Sequence, residues 1–156
     1  MPKLPLTARV EQLLLKPNPA VVATLRPDGT PHTAATWYEW RDGRLLLNMD
    51  ATRKRLGYLR ANPAVSLNVL DVDDMYTSVA LSGTVVELVD DTGLRDIDAL
   101  CTRYLGTPYP DRASPRVSAW VEVSSWFIWD SVRETAGLDE IMGADVGRGA
   151  GAGAGP

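Results

Sequence analysis

The amino-acid sequence predicts a mainly β protein, an antiparallel barrel of six strands with helices at its rim. Two observations favour this fold class. Apolar, β-branched segments follow one another through tight-turn sequences, and the segments with helical patterning are too few to cover the faces of a parallel sheet. The length of 156 residues suits one packed core and leaves no room for a second.

The chain begins with a short amphipathic helix, predicted from Thr7 to Lys16. Thr7 is a plausible N-cap, and Val10, Leu13 and Leu14 recur on one face. Asn18-Pro19 ends the helix. We therefore assign residues 1–17 to an N-terminal helical segment.

Three strands are predicted next. The first covers residues 20–26, and Arg26-Pro27-Asp28-Gly29-Thr30 has the composition of a tight turn, in which Pro sets φ and Gly accepts a positive φ. A second long strand is predicted from Pro31 to Trp40 and a third from Leu45 to Met49, separated by the turn Arg41-Asp42-Gly43. Successive turns of this kind predict a three-stranded meander.

The middle of the chain predicts a helix and two strands. Ala51 to Ala61 has helical propensity and is closed by Asn62-Pro63, since the residue before proline resists the α region. Val65 to Val69 alternates cleanly, as a strand with one buried face does. A long strand from about Tyr76 to Leu88 loses its alternation at Gly83, which predicts a bulge or bend there.

A third helix is predicted from about Thr92, with Leu94, Ile97, Cys101, Tyr104 and Leu105 on one face. Cys101 lies in the middle of that face, and we interpret it as a small core residue. The last strand runs from Val117 to about Trp129, so the barrel domain is assigned to residues 18–131. Residues 132–156 form a C-terminal extension whose Gly/Ala tract predicts disorder.

Composition and charge exclude several classes of function. The net charge of -4 argues against nucleic-acid binding, and no apolar run approaches the ~20 residues that span a membrane. No signal peptide is evident, so we expect a cytoplasmic protein. A single cysteine and a single histidine, His32, predict no disulfide and no metal site. No hydrolase elbow or Walker loop occurs, and a triad built on His32 has no local support.

The segment most indicative of chemistry is Asp50-Ala51-Thr52-Arg53-Lys54-Arg55. It places three cations in the first turn of a predicted helix, where the macrodipole disfavours positive charge. A bound phosphate reverses that penalty, because backbone N–H groups, the Thr52 hydroxyl and the arginine side chains would all point at one anion. A solvated basic face is the alternative, and the strand that leads directly into this turn favours the phosphate.

Two further groups of residues admit either a structural or a binding role. The strand after His32 is built of small side chains, Thr33 to Thr36, which suits simple barrel packing and also the close approach of a flat ring. The last strand carries apolar groups on both faces from Trp126 to Trp129, which a second subunit or a ligand would explain. Trp37, Trp40 and Tyr76 could contribute to either, and such clusters are more often core than cofactor site.

From about Asn18 to Trp129, the chain resembles the pyridoxamine phosphate oxidase-like split-barrel superfamily, and within it the deazaflavin (coenzyme F420)-dependent reductases. Four motifs in order carry the resemblance: the Pro27 to His32 hairpin, the Asn48 to Arg55 turn, the Leu59 to Leu67 segment, and Tyr104-Leu105-Gly106 with Tyr109-Pro110.

The resemblance implies a six-stranded antiparallel split barrel and an obligate homodimer with two cofactor sites across the interface. In this family the turn matching Asn48 to Arg55 binds the cofactor phosphate, with an arginine at the Arg53 position and a lysine two residues on, which is Arg55 here. The family's Arg-Asn pair before Leu59 is Gly57-Tyr58 in this chain. The cofactor-binding residues implied in this way are His32, Thr36, Asn48, Met49, Asp50, Thr52, Arg53, Lys54, Arg55 and Tyr76.

The implied activity is hydride transfer between reduced F420 and a small unsaturated or electron-poor substrate. The cofactor supplies the chemistry, so no catalytic side chain is assigned, and the proton comes from solvent or a nearby hydroxyl. FMN is the alternative cofactor, because it offers the same phosphate and planar tricycle. A protein that binds a flavin or deazaflavin without catalysis is the second alternative.

Overall fold

The computed structural model describes residues 5–129, so the predicted C-terminal extension at residues 132–156 lies outside the described residues. The helices and strands follow one another along the described part in nearly the predicted order. The elements are α1 (Ala8–Leu14), β1 (Ala20–Leu25), β2 (Pro31–Thr36), β3 (Glu39–Arg41), β4 (Arg44–Asp50), α2 (Lys54–Ala61), β5 (Ala64–Leu70), β6 (Ser78–Asp90), α3 (Arg95–Leu105) and β7 (Arg116–Trp129). The mainly β fold class is confirmed, with seven strands in the described part instead of six.

The strands form one antiparallel sheet in the order β2-β1-β5-β6-β7-β4-β3. Its two edge strands, β2 and β3, are consecutive in the chain and are joined only by Trp37 and Tyr38. A link of this length spans roughly 10 Å at most. The two edges of the sheet must therefore approach each other, which curls the sheet into a barrel around the apolar core.

The predicted long strand from Pro31 to Trp40 is wrong, and so is the three-stranded meander. β2 pairs only with β1, whereas β3 pairs with β4 at the opposite edge of the sheet. Between them Tyr38 is fully buried, and its hydroxyl donates to the carbonyl of Lys16 at 3.1 Å. The chain thus crosses from one sheet edge to the other by burying Tyr38, a tertiary contact that strand periodicity does not encode.

The bulge predicted at Gly83 is confirmed. The pairing of β6 with β7 shifts register between Ser82 and Gly83, and it shifts again between Val85 and Glu87. A Cβ atom on Gly83 would collide with the carbonyl oxygen of Glu122 on β7. Glycine is required here because the two backbones approach too closely for any side chain.

Helix α1 ends at Leu14, before the predicted Lys16, and helices α2 and α3 begin about three residues later than predicted. The Thr7 hydroxyl accepts from the backbone N–H of Val10 at 3.4 Å and caps α1, as expected. α2 begins at Lys54 instead of Ala51, because the preceding residues form a separate turn. In α3, Cys101 is buried as predicted, but Leu105 is exposed because it ends the helix beyond the buried face.

Helix α3 is attached to the outer face of β4 and β7 by its first turn. The carboxylate of Asp91 accepts hydrogen bonds from the backbone N–H groups of Asp96 and Ile97 and from the side-chain amide of Asn48 on β4. On β7, Ser118 donates to Asp96 at 2.7 Å. These bonds bring α3 beside the end of β4.

Within residues 5–129, no helix has the length and apolar character needed to cross a membrane.

Candidate functional site

A cavity of about 1130 Å³ opens where β2, the end of β4, the first turn of α2 and helix α3 meet. We call it the main cavity. Every residue assigned to cofactor binding from the sequence lines it except Tyr76. Those lining residues are His32, Thr36, Asn48, Met49, Asp50, Thr52, Arg53, Lys54 and Arg55. Tyr76 lies in the segment before β6, is 56% exposed, and is not among the residues that line the cavity.

The turn between β4 and α2 is held by Asp50. One oxygen of its carboxylate accepts from the backbone N–H of Thr52 at 2.7 Å and from the Thr52 hydroxyl at 2.6 Å. These hydrogen bonds hold the pKa of Asp50 below its usual range, and the nearby Arg116 and Arg53 lower it further. The Thr52 hydroxyl that we expected to point at a phosphate donates to Asp50 instead.

The first turn of α2 carries the positive charge that the sequence predicts, and no side chain caps it. Arg53 is the N-cap residue, no side chain caps the helix, and the turn contains no acidic residue. Arg53 and Lys54 are exposed, while Arg55 is half-buried. The positive end of the helix dipole and three cations therefore face the main cavity together.

Arg55 has a buried polar atom without a partner. Its Nε is inaccessible to solvent and has no hydrogen-bond partner among the described residues. Burial lowers the pKa of the Arg55 guanidinium, and the neighbouring charges of Arg53 and Arg116 lower it further. A buried donor of this kind is costly until an acceptor arrives. An anion in the main cavity would supply that acceptor.

Arg116 is a site residue that sequence reasoning missed. It begins β7, where it pairs in register with Asp50, and it lines the main cavity. Its Nε donates to the Asn48 side-chain oxygen at 2.7 Å, and its guanidinium lies 4.6 Å from the ring centre of Tyr109. No local pattern marks Arg116, because its approach to Asp50 depends on the register between two distant strands. We call Arg53, Lys54, Arg55 and Arg116 the basic cluster.

Asn48 has its hydrogen-bonding groups occupied by protein. Its amide nitrogen donates to Asp91 at 3.0 Å and to Ser118 at 3.2 Å, and its oxygen accepts from Arg116. Asn48 therefore lines the main cavity but is committed to holding Arg116. Met49, beside it, is buried in the core cluster and forms part of the cavity wall.

Small residues of β2 form another part of the cavity wall. Ala34, Ala35 and Thr36 line the cavity, and the Thr36 hydroxyl donates to the carbonyl of Trp37 at 2.9 Å. His32 packs edge-to-face on Tyr58 of α2, with ring centres 5.6 Å apart, and its buried Nδ1 has no partner among the described residues. A flat ring can approach such a wall closely.

An aromatic pair, Trp37 and Tyr104, forms a further part of the wall of the main cavity. Trp37 stacks on Tyr104 with ring centres 5.5 Å apart and planes 15° apart. The Tyr104 hydroxyl donates to the carbonyl of Asn18 at 2.8 Å, and burial raises its pKa. Tyr104 is thus fixed as a neutral wall.

This geometry suits an elongated ligand with an anionic group at one end and an apolar planar group at the other. Within residues 5–129, no three His, Cys, Asp or Glu side chains are grouped closely enough to hold a metal ion. His32 forms no hydrogen bond with a serine or a carboxylate in the described part of the chain.

Comparisons with solved structures agree with this fold. An F420 reductase is 33% identical, with a TM-score of 0.68, and the match covers 75% of this chain and 94% of that one. A conserved hypothetical protein from Mycobacterium tuberculosis is 26% identical, with a TM-score of 0.68 and coverage of 85% and 89%. The General Stress Protein 26 from Bacillus anthracis, 19% identical with a TM-score of 0.60 and coverage of 79% and 92%, shows the shared fold alone.

No curated protein matches the chain in a sequence comparison. The profile described as pyridoxamine 5'-phosphate oxidase, however, matches residues 6–130. That match includes all the strands and helices of the described part and the whole lining of the main cavity. The chain therefore belongs to the pyridoxamine 5'-phosphate oxidase family.

Proposed function

We propose that this protein is an F420-dependent oxidoreductase that transfers a hydride between the reduced deazaflavin and a small unsaturated or electron-poor substrate. The observation that carries the proposal is the half-buried Arg55, whose unpartnered Nε lies in the basic cluster at an uncapped helix N-terminus. Family membership and the similarity to an F420 reductase support a flavin-type or deazaflavin cofactor.

The residues present fit the two ends of such a cofactor. The basic cluster would hold the phosphate, since it offers unpaired guanidinium donors beside free helix N–H groups. The small residues Ala34 and Thr36, on the face of β2 opposite to Ala35, would lie against the planar tricycle. When bound, the cofactor supplies the hydride chemistry, while the protein binds and orients it and excludes water from one face.

FMN is the competing cofactor. It carries a phosphate and a tricycle of similar shape, and the basic cluster recognises the phosphate without distinguishing what lies beyond it. A bound flavin that is released on denaturation of the purified protein would favour an FMN-dependent oxidase or reductase. The absorption spectrum of the protein as purified separates these two functions directly.

A homodimer in the cytoplasm is part of the same proposal. The outer faces of β2, β1, β5, β6 and β7 carry two cross-strand rows without a charged residue, and the outward side chains Phe127 and Trp129 at the end of β7 remain 46% and 51% exposed. The two rows are Ala35, Val21, Asn68, Ala80, Phe127 and Thr33, Ala23, Ser66, Ser82, Ser125. An uncharged sheet face with exposed aromatic residues suits a second copy of the chain.

The activity test uses chemically reduced F420 and a panel of enones, quinones and nitro compounds. We expect substrate-dependent recovery of the absorbance of oxidised F420 with the wild-type protein. At a low F420 concentration the rate should fall in Arg55→Ala and remain unchanged in Arg60→Ala, an exposed arginine on α2 that does not line the main cavity. Tight binding without turnover of any compound would favour a non-catalytic binding protein.

A further inference from the structure

Arg116 has its guanidinium fixed in place but lacks an anionic partner. The Nε–H of Arg116 donates to the side-chain oxygen of Asn48 at 2.7 Å. The Tyr109 ring covers one face of the guanidinium, with its centre 4.6 Å from the Arg116 Cζ atom. Within residues 5–129 no carboxylate forms a salt bridge with Arg116, and no hydrogen bond is formed by its two terminal nitrogens. The Arg116 charge lowers the pKa of two carboxyl groups, Asp50 and Asp111, but one oxygen of each is used to hold its own turn.

Asn48 is itself held in one orientation. Its amide nitrogen donates to the Asp91 carboxylate and to Ser118, which places its oxygen toward Arg116. Asp91 also accepts from the first turn of α3. Because Asn48 is buried and fully bonded, it cannot rotate away from Arg116 without leaving buried polar groups unpaired.

Tyr109 is anchored from the other side. Its backbone N–H donates to Asp98 of α3 at 2.9 Å, and Arg112 bridges Asp98 at 2.6 Å and the Tyr109 carbonyl at 3.0 Å. The loop between α3 and β7 is thereby docked with the Tyr109 ring against the guanidinium. A cation on an aromatic face gains electrostatic stabilisation and loses freedom to swing.

We propose that Arg116 is a phosphate-binding residue of the main cavity, and that Asn48 and Tyr109 are positioning residues that aim its terminal nitrogens at the phosphate. This inference rests on the proposed function. An arginine preorganised on two sides loses less conformational freedom on binding and can offer two parallel donors to one phosphate. Arg55 faces the same anion from α2, so the phosphate would be held between the two sides of the cavity.

The test compares cofactors with and without a phosphate. F420 is paired with the phosphate-free 8-hydroxy-5-deazariboflavin, and FMN with riboflavin. We expect Arg116→Ala to weaken binding of the phosphate-bearing member roughly tenfold or more, the scale of a charge-assisted hydrogen bond, and to change binding of the phosphate-free member little. Equal losses for both members of a pair would overturn the assignment of Arg116 to the phosphate.

The positioning role is tested by Asn48→Ala and Tyr109→Ala. Both should weaken phosphate-dependent binding in the wild-type background, and neither should add a further loss in the Arg116→Ala background, because they act through Arg116. Tyr109→Phe keeps the ring and should restore the affinity lost in Tyr109→Ala. Tyr109 lies in a surface loop, so its variants keep the test valid even where Asn48→Ala fails to fold. Additive losses would overturn the positioning role.

A second measurement does not depend on the cofactor. Titration with inorganic pyrophosphate, followed through the Nε–H nuclear magnetic resonance signal of Arg116, should shift that signal in the wild type and much less in Tyr109→Ala. If neither F420 nor FMN binds but pyrophosphate shifts the signal, the proposed function fails and this inference stands. If a cofactor binds and the Arg116 signal does not respond, the inference fails and the function stands.

Discussion

At the scale of single residues, we expect Arg55 to lower the stability of the ligand-free protein. Its Nε is buried without a partner within residues 5–129, and Arg53 and Arg116 add like charge nearby. A buried donor without an acceptor destabilises the ligand-free protein. A bound anion would offset this cost by accepting the hydrogen bond. Residues of this kind are expected at functional sites, where binding takes precedence over the stability of the empty protein.

The first prediction concerns Arg55→Met, which keeps the apolar stem and removes the charge. We expect the free energy of unfolding of the ligand-free protein to rise by about 1 kcal/mol, since a buried unpaired donor disappears. Affinity for a phosphate-bearing cofactor should fall by about 1.5 to 3 kcal/mol, and we expect a similar loss of affinity in Arg53→Ala and Arg55→Ala. Urea denaturation and fluorescence titration measure the two quantities. Loss of stability together with unchanged affinity would indicate a purely structural arginine.

The second prediction concerns two glycines in different environments. Gly83→Ala should destabilise the protein by about 1 to 3 kcal/mol, because its Cβ meets the Glu122 carbonyl across the β6–β7 pairing. Gly57→Ala is the matched control: it lies within α2 with no atom within 4 Å of the added Cβ, and should stabilise by up to about 1 kcal/mol. Thermal unfolding measures both. If Gly83→Ala and Gly57→Ala changed the stability equally and in the same direction, the close approach at Gly83 would be contradicted.

At the scale of elements, Asp98 couples α3 to the loop that carries Tyr109. The hydrogen bond from Arg112 and the backbone N–H of Tyr109 hold the pKa of Asp98 below its usual range. A carboxylate whose pKa is depressed in the folded state contributes its stabilisation above the unfolded pKa and loses it as the pH falls through the folded value. The docked loop should therefore be intact at neutral pH and released only in acid.

The third prediction follows from this linkage. The backbone N–H of Tyr109 donates to Asp98, so its chemical shift should follow the protonation of that carboxyl group. The midpoint of the shift should lie below the ordinary aspartate pKa of about 3.9. In Asp98→Asn that titration should disappear. Nuclear magnetic resonance between pH 7 and pH 2 measures the midpoint. A midpoint at or above the ordinary value would show that the Arg112 contact does not persist in solution.

At the scale of the whole molecule, the fourth prediction is a dimer. The wild-type protein should elute with a mass near twice the chain mass of 17.0 kDa, and Phe127→Glu should shift it toward one chain by placing a charge on the uncharged face. Light scattering on a sizing column measures this. The surface substitution Arg60→Ala serves as the control. A wild-type protein that remains a single chain at micromolar concentration would contradict the proposed interface.

Much of the fold could be predicted from local patterns. The Thr7 cap, the bulge at Gly83 and the three adjacent cations at the start of α2 are encoded in a few neighbouring residues, and the structure shows each of them. The split of the predicted strand at Trp37 and Tyr38 could not be predicted, because it depends on burying Tyr38 against distant residues. Local periodicity says nothing about such contacts.

The candidate site also combines residues that the sequence indicates with residues that it does not. Arg53 and Arg55 can be identified from the sequence because they lie together in one short basic segment. Arg116 was missed because it reaches the site through the pairing of β7 with β4, a register between segments far apart in sequence. Asn48 was assigned to the cofactor, but its hydrogen bonds to Asp91, Ser118 and Arg116 appear only in three dimensions.

The proposed function depends above all on binding of a deazaflavin or flavin phosphate by the basic cluster of the main cavity. The most direct test is a fluorescence titration of the wild-type protein with F420 and with FMN, repeated with Arg55→Ala and the control Arg60→Ala. We expect saturable binding of one cofactor at micromolar protein, weakened roughly tenfold or more in Arg55→Ala and unchanged in Arg60→Ala. Absence of binding of both cofactors to the wild type, or equal affinity in all three proteins, would contradict it.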